Sequence, residues 1–149
     1  MMTEIFEFPN ATDMARDVVR LITAAVLGGL IGAERELVGK AAGLRTHMLV
    51  ALGSALFVLA PLEAGLSEGD VGRIVQGVAA GIGFIGAGTI LKRPDSDDIK
   101  GLTTAASIWL TAGVGIAVGL GRIWVALLCA ACAWLILLVM GVMERRANR

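Results

Sequence analysis

Gly29–His47 reads GLIGAERELVGKAAGLRTH. It follows an uncharged run, Leu21–Ala33, and precedes another, Met48–Leu62. Within it fall Glu34, Arg35, Glu36, Lys40, Arg45 and His47, both signs of charge in a chain that is otherwise mostly apolar. The stretch reads as the end of one helix, a polar turn and the start of a second helix. A helix starting near Val18 and needing about 20 residues to cross the hydrocarbon ends near Leu37. That places Glu34, Arg35 and Glu36 in its last turns. Two acids there oppose the helix dipole, whereas Arg35 and Lys40 suit it.

The composition says what such a hairpin is surrounded by. Of 149 residues, 56% are hydrophobic and 17% charged, and the mean hydropathy is +0.79. A soluble domain carries about a quarter charged residues. The excess apolar surface needs a lipid bilayer. A formal net charge of zero gives no electrostatic case for nucleic-acid binding. The 20 glycines show no Gly-X-Y period and sit inside apolar runs, where membrane helices tolerate them. The N-terminal MMTEIFEFPNATDMARD puts Glu4, Glu7 and Asp13 ahead of any basic residue, unlike a signal peptide. The expectation is that the first apolar run is retained as a span.

Charges divide the chain into five uncharged runs: Leu21–Ala33, Met48–Leu62, Ile74–Leu91, Gly101–Gly121 and Ile123–Met143. The reading is an all-α integral membrane domain over residues 1–149, with spans about 18–37, 46–62, 74–91, 102–121 and 123–143. With the N-terminus outside, the inner flanks hold Arg35, Lys40, Arg45, Lys92, Arg93, Lys100, Arg145, Arg146 and Arg149. The outer flanks hold only Arg16, Arg20, Arg73 and Arg122. Basic residues favour the cytoplasmic side, so the orientation is N-out, C-in. The chain also repeats. Gly29–Ala33 resembles Gly83–Ala87, and Gly43-Leu-Arg-Thr46 resembles Gly101-Leu-Thr-Thr104. Helices one and two would match helices three and four as parallel copies, leaving helix five unpaired.

Small residues recur at four-residue spacing: Gly28 and Gly32; Gly77 and Gly81; then Thr103, Ser107, Thr111, Gly115 and Gly119. Gly83, Gly86 and Gly88 continue the third helix. Such spacing lets helix backbones approach within lipid. These residues are read as packing faces; a polar path along the Thr/Ser ridge is the alternative, and hydroxyls bonded to their own helix carbonyls do not need one. Helix five, with no Ser, Thr, Asn or Gln from Ile123 to Met143, reads as peripheral and lipid-facing, with Trp124 in the outer interfacial belt. Its Cys129-Ala-Ala-Cys132 lies mid-span, where cysteine acts as a small apolar residue rather than a redox pair.

The candidate polar or ion site is Glu34, Arg35, Glu36, Arg45, Thr46 and His47. Two readings stay open. The group is either a solvated loop with surface pairs, or it folds inward, where ionisable residues mark a pathway or a partner site. In the second case Glu34 and Glu36 are candidate metal ligands, and Mg²⁺ is the ion their oxygens suit. The loop Lys92-Arg-Pro-Asp-Ser-Asp-Asp-Ile-Lys100 lacks the Ca²⁺-loop pattern and reads as a solvated loop. Gly81-x-Gly83-x-x-Gly86 fits the dinucleotide fingerprint by letters, but it lies inside a span with no preceding strand. No catalytic Ser/His/Asp or Cys/His set is apparent, so the chain is not read as an enzyme, and no organic cofactor is expected.

LGGLIGAERE, GLRTHMLVALGSALF, GIGFIGAGTILK and GLTTAASIWLTAGVGIAVGLG, in this order, resemble the MgtC/SapB family of bacterial membrane proteins. The motif residues that carry over are Glu34, Arg35, Glu36, Gly43, Arg45, Thr46 and His47, then Gly81, Gly83, Gly86, Gly88, Gly101, Thr103 and Thr104. The family gives them no established chemical role. The resemblance implies a multi-pass protein of the bacterial inner membrane. It also implies links to magnesium homeostasis, to survival inside hosts (a virulence-related family) and to restraint of the F-type ATP synthase. Six residues follow Met143, so the form expected is the short SapB/YhiD-like one, without the C-terminal ACT-like domain. The leading expectation is a non-enzymatic protein of magnesium or ion homeostasis and stress adaptation. It would act through helix–helix contacts as a homo-oligomer, a dimer favoured, or with a membrane-protein partner. The alternative is a small ion or solute transporter or channel with its acidic site at the cytoplasmic end of helix one.

Overall fold

The structure, a computed structural model, describes residues 10–92 and 99–147, with the backbone alone at 92, 142 and 144–147. It contains five helices: α1 (Ala11–Leu37), α2 (Leu44–Glu63), α3 (Glu68–Ala87), α4 (Leu102–Gly119) and α5 (Ile123–Ala147). Two short strands, β1 (Leu91–Lys92) and β2 (Ile99–Lys100), pair antiparallel between α3 and α4. The ends of the expected solvated loop therefore form a ladder, with Leu91 opposite Lys100; its interior and the N-terminal MMTEIFEFP lie outside the described residues.

Caps set the helix ends. Asn10 accepts from the Asp13 backbone N–H at 2.9 Å, so α1 begins seven residues before the expected Val18. Charges end an apolar run without ending a helix, and here Asp13 and Arg16 pair on the added turns. Ser67 caps α3 in the same way, and Asp70 pairs with Arg73. At the other end of α1, Gly39 adopts φ 67° while its N–H bonds Glu36 O and the Lys40 N–H bonds Arg35 O. This left-handed stop suits glycine and satisfies two orphan carbonyls. The same stop ends α4 at Gly121. The third helix closes at Ala87 rather than at Leu91, because the Thr89 and Ile90 N–H groups bond back to Gly86 and Ala87 and turn the chain into β1.

Helices α2, α4 and α5 are long and apolar enough to cross a membrane. Interior glycines dilute α3 and charges at both ends dilute α1. Helix α2 touches α1, α3 and α4; α5 packs on α1 and α4. The core runs through Ala24, Leu27 and Ile31 of α1, Ala51 and Ala55 of α2, Val114 and Val118 of α4, and Ala126, Ala130, Ala133 and Leu137 of α5. Much of the described surface of α5 is turned outward: Trp124 is 70% exposed and Leu135 57%.

The small-residue ridges divide into two kinds. A Cβ added at Gly28 would lie 2.5 Å from His47 O, at Gly32 2.8 Å from Gly43 O, and at Gly119 2.7 Å from Ala55 O. Gly115 is equally confined, with Ser54 Cβ at 2.9 Å. On the same faces of α4, Ser107 and Thr111 are buried while Thr103 is exposed. By contrast, a Cβ at Gly77, Gly81 or Gly83 meets nothing within 4 Å; Gly86 has ordinary contact with Ala105, and Gly88 touches only its own turn. Gly28→Ala and Gly119→Ala are expected to destabilise the chain by about 1–3 kcal/mol, since backbone must move to admit the methyl. Gly113→Ala, where an added Cβ meets nothing, should be neutral or gain up to about 1 kcal/mol from helix propensity. Thermal unfolding of each variant in one detergent, followed by helical circular dichroism, checks the contrast.

Candidate functional site: a buried polar junction

The polar stretch that joins α1 to α2 splits its charges between two faces. Glu34 and Glu36 are two residues apart, about 200° around the helix, so they cannot share a direction. Glu34 and Arg35 turn inward, with side chains only 10% and 4% exposed, and form an ion pair through Arg35 Nε and a Glu34 oxygen. The Glu34 carboxylate also lies against α5, with Oε1 at 4.0 Å from a Cβ placed on Gly141. Glu36 is exposed and turns back over the loop, where its Oε2 accepts from the Leu44 N–H at 2.8 Å. The N-cap position of α2 is Gly43, which has no side chain to cap with. Glu36 supplies the missing acceptor from the preceding helix. It does not pair with Lys40, whose N–H closes the α1 stop.

His47 lies on the first turn of α2 and is fully buried. Its Nδ1 bonds Gly43 O at 2.9 Å. A carbonyl only accepts, so this nitrogen carries a proton. Its Nε2 lies 3.2 Å from Ser107 Oγ on α4. The Ser107 hydroxyl in turn lies 2.8 Å from Thr104 O, and Thr111 donates to Ser107 O at 2.7 Å. The single Ser107 proton thus has two acceptors in reach, the ring and its own helix. Arg45 is exposed and Thr46 half-buried; neither joins the junction.

The structure therefore brings together Glu34, Arg35 and His47 and adds Ser107, Thr104 and Thr111 from α4. It leaves Glu36 and Arg45 outside. No group of three or more His, Cys, Asp or Glu side chains close enough to hold a metal occurs among the described residues. Ser107 and Thr111 were readable in the sequence as one ridge, yet their link to His47 spans 60 residues and has no local signal. An apolar groove of about 700 Å³ lies elsewhere, between α2 and α3, lined by Leu49, Gly53, Phe57, Gly77 and Gly81 among others.

The junction makes a double-mutant prediction. Arg35→Leu alone leaves a buried carboxylate unpaired and should cost about 3–5 kcal/mol. Glu34→Leu with Arg35→Leu should recover most of that loss. Chemical unfolding of the two single variants and the double variant measures the coupling. Glu36→Ala should cost about 0.5–2 kcal/mol as a lost cap.

Comparison with known proteins agrees with the motifs. The model of the MgtC family matches residues 21–146. Protein SrpB of Synechococcus elongatus is 48% identical over 116 residues, 68% of this chain and 62% of its own length. The Escherichia coli K12 protein named "Putative magnesium transporter YhiD" is 49% identical over 117 residues, 72% of this chain and 52% of its own. Protein MgtC of Salmonella typhimurium is 41% identical over 130 residues, 87% of this chain and 53% of its own. The chain thus spans between half and two thirds of the length of these curated relatives, YhiD included. No solved structure matches it. With four motifs in order and a family match across all five helices, the chain belongs to the MgtC family.

Proposed function

We propose that this chain is a non-enzymatic, multi-pass protein of the bacterial inner membrane that serves magnesium or ion homeostasis and stress adaptation. It acts through helix–helix association, with further copies of itself or with a membrane partner. The magnesium link draws on the name borne by the relative YhiD. Five spans, N-out and C-in, draw on the bias of Lys and Arg towards the inner flanks. Helix α1, with 27 residues, is about 40 Å long and α3, with 20, about 30 Å, so both have the length to cross. Both pack against α2 and α4.

The observation that carries the association reading is that Glu34, Arg35, Glu36 and His47 are each bonded within the chain. Glu34 is paired with Arg35, Glu36 caps α2, and His47 bonds Gly43 and Ser107. Groups spent on one another lock a hairpin; they do not present an empty ligand shell. The transporter reading is favoured by one observation, YhiD's printed name.

Magnesium uptake into proteoliposomes separates the two. Association predicts that the chain gives no uptake above empty vesicles, and that Glu34→Gln and Glu36→Gln leave this unchanged. It also predicts that deletion impairs growth in low magnesium. Uptake that disappears in Glu34→Gln or Glu36→Gln, with folding intact, would replace association by transport.

A further inference from the structure

We propose that the open α2–α3 groove is the seat of helix α5 from a second copy of this chain. The proposal rests on the self-association reading above and names its surface.

The internal repeat says what kind of group covers this groove. Moving α1 onto α3 by the 54 residues that separate Gly29 from Gly83 places Ala24, Leu27 and Ile31 on Val78, Gly81 and Ile85. The first three are buried in the cluster that α5 completes with Ala126, Ala130, Ala133 and Leu137. The second three line the open groove. The same exchange turns α4 into α2. Helix α5 sits on α1 and α4, so its counterpart seat is on α3 and α2, and that is where the groove lies. One seat is filled by the chain itself; the other is open.

The occupant must be an apolar helix running from the outer to the inner face, as α5 does in the N-out topology. A second copy inserted in the same membrane supplies one in that direction. Its α5 is already bound to its own chain by the alanine side. The opposite side, Leu128, Cys132 and Leu135, is exposed. Large side chains there meet glycines across the groove: an added Cβ at Gly53, Gly77 or Gly81 touches nothing within 4 Å. Packing of this kind replaces the hydrophobic drive that lipid removes. Depth agrees as well. Gly53 and Gly77 lie midway along α2 and α3, and Cys132 lies midway along the apolar stretch Ile123–Gly141 of α5. Because α5 and the groove are on opposite sides of the α2–α4 pair, the contact is head-to-tail. It builds a ring or a row rather than the closed two-fold dimer that the sequence favoured.

Disulfide trapping in native membranes tests this, using Cys132 as it stands. In a Cys129→Ala background, Gly53→Cys treated with a lipid-soluble copper oxidant should give a ladder of dimers and larger products. Gly113→Cys, at similar depth on an open stretch of α4, should give none. Gly81→Leu should cut the yield of the ladder at least several-fold while leaving thermal unfolding of the chain unchanged. A dimer that still forms after Cys132→Ala, when Gly53→Cys is the single thiol of each chain, would mean that grooves meet grooves, and would overturn α5 as the occupant. Absence of the product in a sample that mass measurement in nanodiscs shows to be oligomeric would overturn the groove and leave association standing. A strictly monomeric chain in nanodiscs would overturn both.

Discussion

Everything in this bundle depends on how closely α2 is approached from two sides. The ridge His47, Ala51, Ala55 of α2 faces Gly28 and Gly32 of α1 on one side and Gly115 and Gly119 of α4 on the other. The neighbours that an added Cβ would strike are mostly the backbone of α2 itself: His47 O, Gly43 O and Ala55 O. In lipid there is no water to expel from between helices, so contact must come from dispersion and from weak Cα–H···O bonds at short range. Glycines on both flanking helices provide that range, and α2 contributes carbonyls rather than side chains. A single methyl at any of the four positions would separate backbones over a full turn.

The polar junction is a consequence of this clamp. Gly32 leaves room for His47, whose Cβ lies 2.9 Å from the position a Gly32 methyl would take. The ring can then reach past α1 to Ser107 on α4. Arg35 and Glu34 close the same junction from the α1 side, and their pairing removes the net charge that would be costly to bury. Packing fixes the positions, and the ion pair and hydrogen bonds then join the groups placed there. Each of the three helices contributes at least one polar partner, so the junction reports whether all three are seated.

The sequence showed much of this and concealed the rest for identifiable reasons. Five helices, the end of α1 near Leu37 and the paired glycines 28/32 and 115/119 could all be read from spacing and charge. Helix α1 was read as starting too late because Asp13, Arg16 and Arg20 looked like a flank. The Asn10-x-x-Asp13 cap was the better signal, and Ser67-x-x-Asp70 repeats it. Gly77 and Gly81 have the same letters as Gly28 and Gly32, yet a four-residue spacing says only that a helix has a small face. What lies opposite depends on tertiary placement. The divergence of Glu34 and Glu36 follows from helix geometry, whereas the His47–Ser107 bond joins segments with no local connection.

The repeat gives this bond its meaning. Both hairpins build one crossing: Gly32 against the first turn of α2, and Gly86 against the first turn of α4. Where the first crossing has His47, the second has Ala105, the matching residue after Gly-Leu-x-Thr. The second crossing is also looser, with 3.5 Å between a Gly86 Cβ and Ala105 O against 2.8 Å at Gly32. An alanine there satisfies packing within its own hairpin and reaches no further. The imidazole spans from its own α2 turn to the second hairpin, and Ser107 is placed on α4 to meet it. Two similar hairpins could otherwise slide against each other along their smooth small-residue faces. One directional bond between buried polar groups sets their register, because any slip leaves the ring and Ser107 without each other in a place water does not reach.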